Sequence, residues 1–426
     1  MNDRAQFRNS TLGTRTRTAM TALAMAILFV LTVASTQSAQ AQTFKVVLNF
    51  TNGQGGAQPY AGLTMDASGN VYGTTFGNSG GPYGNGSVFK LKHSGSGWLL
   101  NPLYDFTGGN DGAWPWGRAV FARDGTLYGT TWTGGGPGIG TVFRLRPSPS
   151  APVSALAPWT ETVAYRFTGG SDGGAPQGDL TFDQSGNIYG VTNSGGDAGN
   201  GVVYELTPSG GGWTQTVLYS FQGTEDGANP YGGVVLDKAG NLYGVVNYGG
   251  HSNAGAVYEL SPSGSGWTKT TLYDFTGGSD GATPYGGLII DASGNLYGTT
   301  AFGGAGRGGT VFALTPANGG GWSFNTLYSF PGSGYPNYGP MDKLAMDSAG
   351  NLYGTTYQDG TNQAGSIFKL TPSGGGWTYT SLHDFTGGSG GAYPISNLVL
   401  DTSGNLDGTA SAGGANGYGV IFEITP

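Results

Sequence analysis

Short apolar runs alternate with glycine-rich turns along nearly the whole chain, and no window beyond the N-terminal segment keeps the 3.6-residue period of a helix. One stretch shows the elements. Leu288-Ile289-Ile290 reads as a first strand (a), and the polar turn Asp291-Ala292-Ser293-Gly294-Asn295 reverses the chain into strand b, Leu296-Tyr297-Gly298-Thr299-Thr300. A Gly-rich loop leads to strand c, Thr310-Val311-Phe312-Ala313-Leu314. "TPANGGGW" then turns the chain into strand d, which ends Leu327-Tyr328-Ser329-Phe330. Asx and Gly accept the backbone of tight turns at little cost, so the register of each hairpin is set locally.

This unit is written seven times. Its Asp position falls at Asp66, Ala122, Asp183, Asp237, Asp291, Asp347 and Asp401, with spacings of 56, 61, 54, 54, 56 and 54 residues. A steady period of this kind marks a repeat architecture. Four strands per repeat, arranged radially, predict an all-β fold, a seven-bladed β-propeller of four-stranded antiparallel blades. The stretch "TFKVVLNF" (43–50) matches strand d, and the C-terminal "GVIFEITP" matches strand c. The N-terminal strand is therefore predicted to complete the last blade and close the ring, which removes two open sheet edges.

The phrases "LYDFTGGSDGATPYGGLIIDASGNLYGTT" and "GGTVFALTPANGGGW" resemble the GloVer tandem repeat of exported bacterial proteins. The resemblance covers essentially all of the chain after its N-terminal segment. It implies an exterior location and brings no catalytic residues. Two copies depart from the pattern: the second has Ala122 and Thr126 for Asp and Asn, and the seventh has Asp407 for Tyr.

The N-terminal segment stands apart. Arg4, Arg8, Arg15 and Arg17 precede an apolar run from Ala19 to Ala34 and the small-residue site Ser38-Ala39-Gln40-Ala41. This reads as a signal peptide over 1–41, followed by one propeller domain over 42–426. The alternative is an uncleaved anchor, for which sixteen residues interrupted by Thr are short. Export places the protein outside the cell, on its surface or in the periplasm. Of 17 basic and 25 acidic residues, the segment holds four Arg and one Asp, so the remainder carries a net charge of −11. That balance argues against nucleic acid and, after cleavage, against membrane insertion. There is no Cys, hence no disulfide or thiolate site. The chain is expected to be a monomer without a cofactor or metal.

In a propeller the d-to-a and b-to-c loops share one face, and loops on a rigid scaffold are where binding residues usually lie. Six of the nine Trp start strand d; the other three, Trp114, Trp116 and Trp132, fall on loops of the second repeat. They either stack on a sugar or similar planar face, or cap the seams between blades. Near the axis, the second Gly of the Tyr-Gly-Gly-Leu template is held by Gly62, Arg118, Asp179, Gly233, Gly287, Lys343 and Asn397, with Asp342 alongside. Arg118, Asp179, Asp342, Lys343 and Asn397 thus mark a channel mouth of chosen polarity, or mutually paired ions in a wet channel. Tyr60, Tyr231 and Tyr285 line the same rim.

Enzyme signatures are weak. "GGSDG" at 169–173 and 277–281 lacks a following helix and a His base, and "GAGRGG" at 304–309 lacks a helix N-terminus. Asp111, Asp172, Asp226 and Asp280 fit turn formation better than a calcium loop. His93 on a c-to-d turn, His251 on a b-to-c loop and His383 in strand d belong to different repeats, so no His cluster assembles. The leading expectation is a binding propeller for a glycan or another exported protein. The alternatives are a lyase, glycoside hydrolase or lactonase using carboxylates at the channel mouth, and a passive structural protein of the cell exterior.

Overall fold

A computed structural model of the chain describes residues 42–53, 55–77, 84–95, 97–136, 138–148, 159–264, 266–332 and 338–425. The proposed signal peptide lies outside them. The repeated Asp explains the first hairpin in the six repeats that carry it. In the fourth repeat, Asp237 Oδ1 accepts the N–H of Ala239 (2.8 Å) and of Asn241 (2.9 Å). Its Oδ2 takes the Asn241 amide (2.9 Å) and the Tyr243 hydroxyl (3.1 Å). Asp66, Asp291 and Asp347 gather the same donors. A carboxylate satisfied by backbone and side-chain donors fixes both the turn and the tyrosine of strand b.

Each hairpin grows into an antiparallel a-b-c-d meander. In the fourth repeat these strands are Ala228–Leu236, Leu242–Tyr248, Ala256–Ser263 and Gly266–Asp274. Strand a shrinks to two residues in five repeats, such as Ile289–Ile290 in the fifth, one residue shorter than expected. Among the described residues the strands form six sheets rather than seven separate ones: five have four strands, and one has eight. The eight-stranded sheet joins the third and fourth repeats through a single parallel pairing, Asp179 with Gly233. In these two repeats strand a runs from Gly174 and from Ala228, long enough to meet at the inner edge. The strand Thr43–Asn49 lies beside Val420–Thr425, as its match to strand d predicts. No α-helix occurs among the described residues.

The core is a set of repeated seams. The Phe ending each strand d is fully buried and meets, edge to face, the aromatic of strand c in the following repeat, as in Phe106–Phe143 at 5.1 Å and Phe275–Phe312 at 5.2 Å. Phe50, after the N-terminal strand, meets Phe89 of the first repeat in the same way at 5.5 Å. The strand-d tryptophans pack on the strand-b tyrosine of the preceding repeat, for example Tyr243–Trp322 at 5.8 Å. Of the histidines, His93 lies within the strand Ser87–Ser94 rather than on a turn. It packs on Trp98, because the hairpin tightens to Ser94–Gly97.

Candidate functional site

The loop that enters strand a carries backbone strain. The residue before its proline has positive φ in six repeats: Gln58, Trp114, Ala175, Asn229, Thr283 and Tyr393, at 52–59°. Side chains rarely accept this region, and such strain persists only where surroundings enforce it. Here the N–H points into the preceding repeat and the C=O receives the residue that follows strand b. Trp114 N–H donates to Asn85 (2.8 Å), and Trp132 N–H donates to the Trp114 carbonyl (3.0 Å). Gln58 N–H likewise reaches Tyr418 of the seventh repeat (2.9 Å). The staple directs the residue after the proline to a common rim.

That rim surrounds one small cavity of about 50 Å³. Tyr60, Trp116, Tyr231 and Tyr285 line it, together with Arg118, Asp179, Asp342, Lys343 and Asn397. Gly62 also lines it, and a Cβ there would fall 1.5 Å from Asn397 Oδ1, so any larger residue would require the Asn397 side chain to move. Arg118 pairs with Asp179 at 3.0 Å, and its N–H donates to the other carboxylate oxygen at 3.2 Å. Asp342 Oδ2 is buried without a hydrogen-bond partner among the described residues. Burial, and then the charge of Asp179, hold the Asp342 carboxyl well above its usual range. Burial pulls the Lys343 ammonium down, opposed by Asp179. The cavity has room for a few waters and is far smaller than a sugar ring, so a larger ligand would lie across its mouth.

Aromatic rings continue outward from the mouth. Tyr60 stacks parallel to Trp116 with ring centres 5.4 Å apart, and Trp116 meets Tyr231 edge-on at 6.2 Å. Tyr231 meets Tyr285 at 5.2 Å. Trp132 joins Trp116 at 5.9 Å and Trp114 at 6.0 Å. Trp114 serves the seam: its indole N–H donates to the Gly84 carbonyl of the first repeat at 3.1 Å. Trp116, Trp132, Tyr60, Tyr231 and Tyr285 are half-buried. Burial raises the Tyr231 phenol well above its usual range, with Tyr285 and Asp342 adding to it.

Sequence reasoning missed Phe76, which sits amid Tyr60 (5.2 Å), Trp114 (5.6 Å) and Trp116 (5.3 Å). It also missed Tyr248, exposed beside the rim. The signal was present at the position just after strand b, which holds Phe76, Trp132 and Tyr357 but Asn193, Asn247, Ala301 and Ser411 elsewhere. Asp111 and Asp280 are occupied by turn donors: each accepts the threonine N–H and hydroxyl four residues earlier and a tyrosine hydroxyl. After "GAGRGG" the chain continues as the strand Arg307–Pro316. Among the described residues no helix is long and apolar enough to cross a membrane.

Solved structures of an ulvan lyase share this β-rich, propeller-like fold. An ulvan lyase, described as a new family of polysaccharide lyase, is 13% identical, with 88% of this chain and 94% of that chain covered at a TM-score of 0.55. The lyase bound to -[GlcA(1-4)Rha3S]- matches over the same shares at 13% identity and a TM-score of 0.53. A putative oxidoreductase (glucose dehydrogenase) from Thermus thermophilus is 15% identical, covering 90% of this chain and all of that one, with a TM-score of 0.45. At such identities the likeness is one of fold alone. No curated protein matches the chain in sequence. The Gloeobacter/Verrucomicrobia repeat matches residues 26–157, 153–345 and 291–426, which together leave only the extreme N-terminus uncovered, and the chain belongs to that repeat family.

Proposed function

We propose that the protein is an exported, monomeric binding module, a closed ring of seven blades that takes a glycan across its aromatic rim. Several contacts support the ring. The Phe–aromatic seam recurs between successive repeats and joins the seventh to the first through Phe50 and Phe89. Asn416 also donates to the Phe50 carbonyl at 3.0 Å. The observation that carries the function is the half-buried band Tyr60, Trp116, Trp132, Tyr231 and Tyr285, set around a mouth too narrow to swallow a ring. Such surfaces offer apolar faces to sugars and hydroxyls to their edges. The acidic balance disfavours nucleic acid as the partner, and the charged groups at the mouth orient what lies above them.

A glycan-array screen of the wild type beside Trp116→Ala and Trp132→Ala tests this. Loss of about tenfold or more in affinity in either variant, the scale of a lost aromatic stack, is expected. Ligand binding untouched by both substitutions would overturn the rim as the site. Self-association without any ligand would favour a structural role instead.

A second reading, catalysis at the channel mouth, has one observation in its favour. Oδ2 of Asp342 is buried with no hydrogen-bond partner among the described residues, and burial with the Asp179 charge holds the carboxyl well above its usual range, the profile of a general acid. Turnover of a polysaccharide abolished in Asp342→Asn, with rim binding retained, would establish it.

A further inference from the structure

The opposite face, built from the a-to-b and c-to-d turns, reads from sequence as scaffold. It nevertheless holds a groove of about 550 Å³ between the second and third repeats, a volume within the range of ligand sites. The groove coincides with the second repeat's departure from the template. Ala122 and Thr126 replace the Asp and Asn of the turn, whose backbone closes without them: Ala122 N–H donates to Thr126 (2.8 Å) and Gly125 N–H to Ala122 (3.0 Å). The missing carboxylate leaves a small side chain where other repeats have a filled turn.

Arginines occupy the space around it. Arg144 and Arg146 stand two apart on one strand, hence on one face, and Arg123 comes from the turn. Arg146 is committed, to Asp124 at 2.7 Å and to Thr126 Oγ1 at 2.7 Å. Arg123 donates to the Gln184 carbonyl at 3.3 Å and forms no ion pair among the described residues. Arg144 lies opposite Tyr128 across the strand pair, shares a side-chain hydrogen bond with the Tyr128 hydroxyl, and forms no ion pair among the described residues, so its charge is not neutralised there. The groove's other carboxylate, Asp183, is engaged by Asn187 at 2.9 Å and 2.8 Å. The floor is aromatic: Tyr128 meets Phe182 at 5.5 Å and Trp213 at 5.9 Å, and the buried indole N–H of Trp213 has no partner among the described residues.

We propose that this groove is a second binding site, for a sugar residue bearing a carboxylate or sulfate. Guanidinium forks match oxyanions in geometry and charge, and the aromatic floor offers a face for the ring. A single oxyanion is matched by Arg123 and Arg144, whereas the several charges of a polyphosphate would be repelled more strongly by the net charge of −11 that the chain carries beyond its N-terminal segment. The site is independent of the rim.

The test is calorimetric titration of the purified protein with a hyaluronan tetrasaccharide, a sulfated carrageenan tetrasaccharide and neutral cellotetraose. Saturable binding of one or both charged probes, absent for the neutral one, is expected. It should weaken about tenfold to a hundredfold in Arg144→Gln, the worth of a charge-assisted hydrogen bond, and less in Arg144→Lys. Lys92→Gln, at the place of Arg146 in the first repeat, should leave it unchanged. The carboxylate and sulfate arms tell which oxyanion is preferred. Binding of neither charged probe, equal binding of cellotetraose, or equal loss in Lys92→Gln would overturn the proposal. Arg123→Gln repeats the test should Arg144→Gln fail to fold.

Discussion

The fourth and seventh repeats follow one template by different means. In the fourth, residues 228–274 supply all four strands, and the Tyr243 hydroxyl sits between Asp237 (3.1 Å) and Glu259 (3.2 Å). In the seventh, the outer strand is the distant Thr43–Asn49, and Asp407 replaces the tyrosine, opposite Glu423. The first difference leaves the packing whole. Phe44 takes the place that Lys269 holds in the fourth repeat and stacks on His383, with ring centres 3.7 Å apart. The second difference leaves Asp401 with its turn donors but no tyrosine, and puts a further carboxyl, 3% exposed, beside two others. The template tolerates a break in chain connectivity better than a change of charge at a buried position.

Deleting residues 43–50 breaks the comparison most severely. The seventh repeat then loses its outer strand, Val420–Thr425 becomes an open edge, and Phe89 loses its partner. Removing the Phe50 ring alone is worth about 3–5 kcal/mol, and an unpaired edge invites aggregation. Size-exclusion chromatography and thermal melting should show an aggregated or much less stable protein. A soluble, equally heat-stable truncation would contradict the proposed closure.

Asp407→Tyr sharpens the comparison by restoring the fourth repeat's arrangement. Burial, then Glu423 and Asp401, push the Asp407 carboxyl up to about 7. An acid whose folded value lies above its unfolded value of about 4 favours folding below that value, and the benefit is lost as pH rises to about 7. The variant should gain about 2–4 kcal/mol at pH 8 and show a shallower loss of stability between pH 4 and pH 7. The slope persists in part, because burial and Asp111 also push Glu161 up to about 7. Denaturant titrations across that window decide it; an unchanged slope would show that Asp407 does not titrate there.

The same comparison separates what the residues reveal on their own from what only the folded chain shows. The hairpins were legible because Asp-x-Ser-Gly-Asn-x-Tyr is a complete local hydrogen-bonding unit, needing nothing from the rest of the chain. The place of Thr43–Asn49 was legible because strand d has its own pattern. The joining of the third and fourth repeats was not, since the pairing of Asp179 with Gly233 depends on how two strands meet near the axis. The charged ring was legible as departures from one repeated position. The groove beside Arg144 was not: the departure at Ala122 and Thr126 is visible in the sequence, but the walls come from turns of two repeats whose meeting only the folded chain shows. The role of Phe76 was hidden for a similar reason: its neighbours Trp114 and Trp116 enter from the next repeat.

The smallest effect concerns the seam itself. At the position held by Phe in five repeats, the third and fourth have Tyr204 and Tyr258, fully buried, with hydroxyls that find no partner among the described residues. Their rings still make the edge-to-face contact, Phe167–Tyr204 at 5.0 Å and Phe221–Tyr258 at 5.2 Å. Burial alone pushes both phenols far above their usual range, as expected where nothing solvates the oxygen. A buried hydroxyl left unsatisfied costs about 1–3 kcal/mol, so Tyr258→Phe should stabilise the protein by about 1 kcal/mol and raise the melting temperature by about 1–2 °C. Tyr204→Phe should add to it, since the two rings lie in separate core clusters. Destabilisation by either substitution would mean that the hydroxyl is satisfied, by a buried water between strands, and that the third and fourth seams differ from the other five in more than one oxygen atom.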